Sequence, residues 1–174
     1  MSWTTSAFDC PDMRPLSDAL WPDDSVRTEQ MRRLVPLFEA WLGWTDGQRA
    51  DWAQAVALRT VREILPIALR AAKIDEALVL ACEQAQDLDA AGAAAGAAAG
   101  HANVERDAAR AARYASDAAG AAAGRANVER DAANAARAAA NAARYASDAA
   151  DAAASYAVLA LAVTIWAEET EKVA

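Results

Sequence analysis

The residues of this chain best suited to chemistry are arginines and tyrosines recurring at helical spacing in its second half: Arg110, Arg113 and Tyr114, then Arg137, Arg144 and Tyr145 with Asn141 between them. A guanidinium offers a planar fork that meets phosphate or carboxylate oxygens two at a time, and a phenol ring offers a face on which a base can stack. Asp107, Arg110, Arg113, Tyr114 and Asp117 fall along one helical face, and Asp131, Asn134, Arg137, Asn141, Arg144, Tyr145, Asp148 and Ser155 along another. If these stripes face water, their i,i+4 ion pairs are worth only about 0.2–0.5 kcal/mol each. That is the favoured reading, because charge on a helix is usually solvated. If the stripes of antiparallel helices face one another, they line a cleft for a small, nucleotide-like anion.

A second candidate surface is N-terminal. Trp3, Trp21, Trp41, Trp44 and Trp52 lie in the first third and only Trp166 lies elsewhere. Most must build the core, since alanine supplies too little apolar surface to replace them. An exposed remainder, Trp3 and Trp21 beside Asp23 and Asp24, would make an acidic and aromatic patch. Tryptophan is enriched at interface hot spots, and an acidic rim steers a basic partner such as a toxin, nuclease or defence effector.

Catalysis finds less to work with. A hydrolase or transferase needs a nucleophile beside a base, paired carboxylates, a metal cluster or a phosphate loop. The chain contains no GxxxxGK[ST], GxGxxG or HExxH pattern. His101 is the single histidine, and Arg125 replaces it in the repeat described below. Cys10 and Cys82 form no CxxC pair, which indicates neither zinc nor a disulfide framework and fits a reducing cytoplasm. No catalytic residue, metal or cofactor is expected, so the function should be binding.

Charge narrows the partners. The net charge is -8, from 25 acidic and 17 basic residues, which disfavours direct nucleic-acid binding. The first residues lack the pattern of a secretory leader. The longest strongly apolar stretch, Ala157 to Ala167, is shorter than the roughly 20 residues that cross a bilayer. A soluble, cytoplasmic protein without a membrane partner is expected.

The elements that must position these residues are helices. Residues 1–24, with Pro11, Pro15 and Pro22, read as an irregular lead-in with one short turn at Leu16 to Leu20. Met31, Leu34, Leu37, Phe38, Trp41 and Leu42 mark a helix face that ends at Gly43 and is kinked or broken at Pro36. Thr45 to Gln48 forms a capping box, and the helix it opens should run to Pro66. Asp75 caps a helix from Glu76 whose inner face is Leu78, Val79, Cys82 and Ala85.

The rest is a repeat. GAAAGHANVERDAA at 96–109 returns at 120–133 with Arg for His, and RYASDAA at 113–119 returns at 144–150. The offset grows from 24 to 31, about two helical turns, which keeps the faces in register. Gly100 and Gly124 read as left-handed helix ends, with Asn103 and Asn127 capping the next helices and Glu105 and Glu129 in their first turns. Hairpins at both places give helices over 76–99, 104–123 and 128–168, the last about 60 Å long. A continuous helix through the glycines is the rival, because glycine there costs only about 1 kcal/mol.

From about residue 57 onward, through ALRTVREILPIALRAAKIDEALVLACEQAQDLDAAGAAAG and the alanine-rich tract behind it, the chain resembles the alanine-rich immunity proteins of bacterial toxin systems and phages. The resemblance implies a neutralising protein in genetic conflict, either an immunity protein or a phage counter-defence protein, and transfers no individual site residue. The expectation is thus an all-α helical bundle with a tryptophan-rich part (1–74) and long, closely packed alanine-rich repeat helices (75–174). Three functions stay open: stoichiometric inhibition of a protein target, sequestration of an anionic signal by the Arg/Tyr stripes, and assembly into a homo-oligomer through alanine faces.

Overall fold

The computed structural model describes residues 11–101, 106–124, 128–150 and 152–173, and the protein is all-α, with no strand among the described residues. The lead-in turn, α1 (Arg14–Ser17), begins two residues before the expected one, with Pro15 in its first turn, where a missing N–H leaves nothing unsatisfied. Helix α2 (Asp24–Arg32) is capped by Asp23, whose carboxylate accepts from the Ser25 and Val26 amides. At Pro36 the chain breaks rather than bends. Arg33 and Leu34 turn, and Pro36 sits in the first turn of α3 (Val35–Trp41).

Helix α4 (Asp46–Arg59) opens on the expected capping box: the Thr45 hydroxyl accepts from the Gln48 amide at 3.2 Å, and the Thr45 amide donates to Gln48 Oε1 at 3.0 Å. It does not stop at Pro66. A π-turn over Thr60–Ile64 carries it into α5 (Leu65–Ala71), with the Leu65 amide reaching back five residues to the Thr60 carbonyl. Proline in a regular helix clashes with the carbonyl four residues before it. The wider turn makes room for the ring, and Leu65, Pro66, Ala68 and Leu69 all stay buried. Helix α5 closes through Lys73 (φ 57°), with Ile74 N–H donating to Leu69 O at 2.9 Å.

Asp75 caps α6 (Glu76–Glu83) as expected, but the helix expected over 76–99 is two. The chain turns after Glu83, and the Asp87 carboxylate accepts from Ala90 N–H at 2.8 Å to begin α7 (Leu88–His101). Arg70 holds α6 to α5 through Glu76 (2.9 Å) and Glu83 (2.6 Å), while α7 packs on α8 (Arg106–Ala123). That pair is antiparallel: Gly92 faces Ala119, and Ser116 Oγ donates to Gly92 O at 3.1 Å. A continuous helix through Gly100 is thereby excluded.

The glycines do not punctuate as expected. Gly100 is still helical, and no described glycine has a positive φ. At Gly124 a Cβ would lie 3.0 Å from the Ala121 carbonyl oxygen and 2.7 Å from Asp131 Oδ2, the movable end of a side chain. The proposed caps Asn103 and Asn127, and Glu105, lie outside the described residues, as does the side chain of Glu129.

The expected 128–168 helix also divides, into α9 (Val128–Ala149) and α10 (Ala152–Val173). Alanine on both sides of the break would favour continuation. Tertiary packing overrides it, because a straight helix would carry Val158, Leu159, Val163, Ile165 and Trp166 away from the core in which all five are fully buried. Trp166 meets Trp52 edge-on at 5.5 Å, Trp52 meets Trp41 at 5.5 Å, and Trp44 stands 5.8 Å from Trp41. The buried Nε1 atoms of Trp52 and Trp166 have no conventional acceptor, so these indoles are held by ring contacts. Arg59 ties α4 to α10 through Glu168 (2.7 Å) and Glu169 (3.0 Å), while also pairing with Glu63 (2.6 Å).

Replacing Trp166 by alanine removes the link between α10 and the other indoles, with an expected loss of about 3–5 kcal/mol in urea unfolding. Ala143→Leu should cost about 1–3 kcal/mol, because the fully buried Ala143 leaves no room for three more carbons. A neutral result at Ala143 would show a looser contact around α9.

Candidate functional site

The repeat brings its own equivalents together. Tyr114 of α8 and Tyr145 of α9, matching positions of RYASDAA, stack with ring centroids 5.5 Å apart and planes 2° from parallel. The guanidinium carbons of Arg110 and Arg144 lie 5.3 Å and 5.8 Å from the Tyr145 centroid, within cation–π range. Arg110 also reaches Asp107 at 3.4 Å. The seven inserted residues keep both copies in phase, which is why equivalent rings meet across the helix pair.

Two shallow hollows lie on the same side of α9 as this stack. One, of about 260 Å³, is bordered by Tyr114, Asp117, Asn134, Arg137 and Asn141. The other, of about 250 Å³, is bordered by Arg137, Asn141 and Arg144 and by Asp12, Arg14 and Asp18 of the lead-in. The structure therefore gathers Arg110, Tyr114, Arg137, Asn141, Arg144 and Tyr145 on one side of α8 and α9. Arg113 is exposed and takes no part in the stack or in either hollow. Ser155 leaves the stripe, because it belongs to α10; its Oγ lies 2.9 Å from that of Ser147.

A larger hollow, of about 700 Å³, opens where the lead-in, the end of α9 and the start of α10 converge. Leu20, Trp21, Pro22 and Tyr156 give it apolar walls, and Asp18, Asp148, Arg144, Ser147 and Ser155 give it polar ones. Trp21 is anchored by its Nε1, which donates to Leu16 O at 2.8 Å, and meets Tyr156 edge-on at 6.1 Å. Leu20 is 79% exposed. Of the N-terminal candidates, Trp21 is thus placed at a concave surface and Trp3 lies outside the described residues. Asp23 is occupied in capping α2, and the exposed Asp24 pairs with Arg27 at 3.1 Å. The sequence reading missed Tyr156. It is the tyrosine outside the repeat, and a straight 128–168 helix hid its approach to Trp21.

Charge in the large hollow is poorly compensated. Desolvation pushes the Asp148 carboxyl above its ordinary pKa, Arg144 opposes this, and Asp107 adds to it. Asp12 behaves oppositely: Arg14 grips both its oxygens at 2.8 Å and holds its pKa down despite some desolvation, with Arg137 adding a weaker pull. The fully buried Cys82 thiol is raised to about 11 by desolvation, with Glu83 adding to the shift, which leaves it a poor nucleophile at neutral pH. Among the described residues, no three His, Cys, Asp or Glu side chains are grouped to hold a metal ion, and no helix is long and apolar enough to cross a membrane.

No family model, curated protein or solved structure matches the chain.

Because its folded-state pKa is raised, Asp148 binds its proton more readily in the folded chain, so its contribution to stability falls as pH rises through that value. Asp148→Asn should therefore raise the thermal midpoint at neutral pH. It should leave the midpoint unchanged below about pH 3, where an ordinary carboxyl is also protonated. Equal shifts at both pH values would assign the effect to packing instead.

Proposed function

We propose that this protein is a non-enzymatic inhibitor that neutralises a basic protein partner by stoichiometric binding, as an immunity or phage counter-defence protein would. The observation that carries the reading is the large hollow, which the exposed Leu20 and Tyr156 and the half-buried Trp21 line together with the carboxylates of Asp18 and Asp148. Such a surface suits an arginine or lysine side chain. The stem packs on the rings, the cation meets the carboxylates, and an incoming positive charge relieves the cost of keeping Asp148 ionised.

Two further features support it. The net charge of -8 steers basic partners over distance, and the resemblance of residues 57–174 to alanine-rich immunity proteins points to a neutralising role. In this reading the alanine-rich repeat helices form a closely packed bundle that works as a rigid scaffold for the hollow. The mutual contacts of α7 with α8 and of α8 with α9 support that architecture.

A photo-crosslinking residue at position 20, used in cells that contain the partner, should capture a basic protein that then forms a one-to-one complex with the purified chain. Removing Trp21 should weaken that complex by about 2 kcal/mol, roughly thirtyfold. Leu20→Ser, at a side chain too exposed to matter for folding, should weaken it by less. A complex that survives both substitutions unchanged, or a captured partner that is acidic, would sink the proposal.

A further inference from the structure

The two smaller hollows share Arg137 and Asn141 as lining residues and so adjoin along α9, where together they make a shallow groove. We infer that this groove is a second binding site, sharing Asp18 and Arg144 with the larger hollow, that takes a purine nucleoside monophosphate, with the base at the Tyr114 end and the phosphate between Arg137 and Arg144. Together the hollows, about 260 Å³ and about 250 Å³, reach the size of small-molecule sites, which run from about 300 Å³ upward.

The phosphate end has cations to spare. Arg137 and Arg144 lie seven positions apart on one helix, two turns along the same face. Neither has a carboxylate within ion-pair distance among the described residues, whereas Arg14, Arg59 and Arg70 do. Asp12, which borders the groove, is held at both oxygens by Arg14. Asp18 is the remaining carboxylate lining that end, outside ion-pair distance of both arginines.

The base end has the complementary chemistry. Tyr145 lies parallel behind Tyr114 and fixes the plane of its ring. A base stacked on Tyr114 would present its edge to Asp117, an acceptor pair, and to the Asn134 amide. A carboxylate matches the adjacent N–H groups of guanine, so guanosine 5′-monophosphate is the natural probe.

Isothermal titration calorimetry of the intact chain at low salt should show one site for guanosine 5′-monophosphate and weaker binding of guanosine and of inorganic phosphate. Arg137→Gln, at an exposed side chain, should weaken the nucleotide about tenfold or more. Tyr114→Leu should weaken it by about tenfold while leaving inorganic phosphate unaffected. Asp18→Asn, which removes the competing carboxylate, should tighten it. No nucleotide binding at millimolar concentration, no response to Arg137→Gln, or phosphate binding as tightly as the nucleotide would each overturn the inference. Neither Arg137 nor Tyr114 borders the Leu20–Trp21 hollow, so the outcomes of those two substitutions are independent of capture of a basic protein partner, whereas Asp18 borders both surfaces.

Discussion

Alanine sets how near the helices come, and much of the structure follows from that nearness. Every buried side chain of α8 is alanine, at 108, 111, 112, 115, 118, 119 and 122, a spacing that makes one continuous face. With only a methyl group between backbones, helix axes can approach to the short end of the usual range, about 8 Å. The Ser116 hydroxyl then reaches a backbone carbonyl on α7 directly, at 3.1 Å. Large rings have no room inside such a contact, so Tyr114 and Tyr145 are forced to its edge, where equivalent positions of the repeat meet and stack. The Arg/Tyr face is thus a by-product of the alanine core, placed by the same period that buries the methyl groups.

The same nearness limits stability. A buried methyl gains only about 0.8 kcal/mol, so an alanine helix pair cannot hold itself together as a leucine pair does. The indoles on α3, α4 and α10 supply what the repeats lack. This explains why α10 must fold back. Its apolar residues are the bridge between the alanine-rich helices and the tryptophans, and the arginine at 59 fixes the bridge at its far end by pairing with two successive glutamates of α10.

Local chemistry was legible in the sequence where a side chain satisfies its own backbone. The Thr45 capping box, the Asp75 cap and the break at Pro36 all follow from neighbours within four residues. So did the helical class, the burial of Trp41, Trp44 and Trp52, and the inner face of Val79, Cys82 and Ala85, whereas Leu78, expected on that face, is only half-buried. Features decided by distant partners were not legible. Pro66 looked terminal because a π-turn leaves no signature in composition. The division after Ala149 runs against local propensity and is driven by Trp166, and Gly124 makes no left-handed turn. At the candidate sites, the Tyr114–Tyr145 stack, with Arg110 and Arg144 beside Tyr145, could be read from the repeat once the helices were antiparallel. The Trp21–Tyr156 contact could not, because it depends on the break that local sequence conceals.

The large hollow lies where two kinds of packing meet. Helix α9 is narrow, lined with alanines down to Ala146, whereas α10 presents Val158, Leu159 and, further on, Ile165 and Trp166 to the core. Side chains of such different size cannot hold neighbouring helices at one separation, and interiors tolerate few voids. The mismatch is resolved at the surface, where the end of α9, the start of α10 and the lead-in turn diverge around Trp21 and Tyr156. The lead-in stays down because Leu16 is fully buried and Met13 nearly so, which fixes Asp18 and Trp21 at the rim. A concave surface made in this way is positioned by the core beneath it, and a surface already shaped costs less to bind than one that must first be ordered.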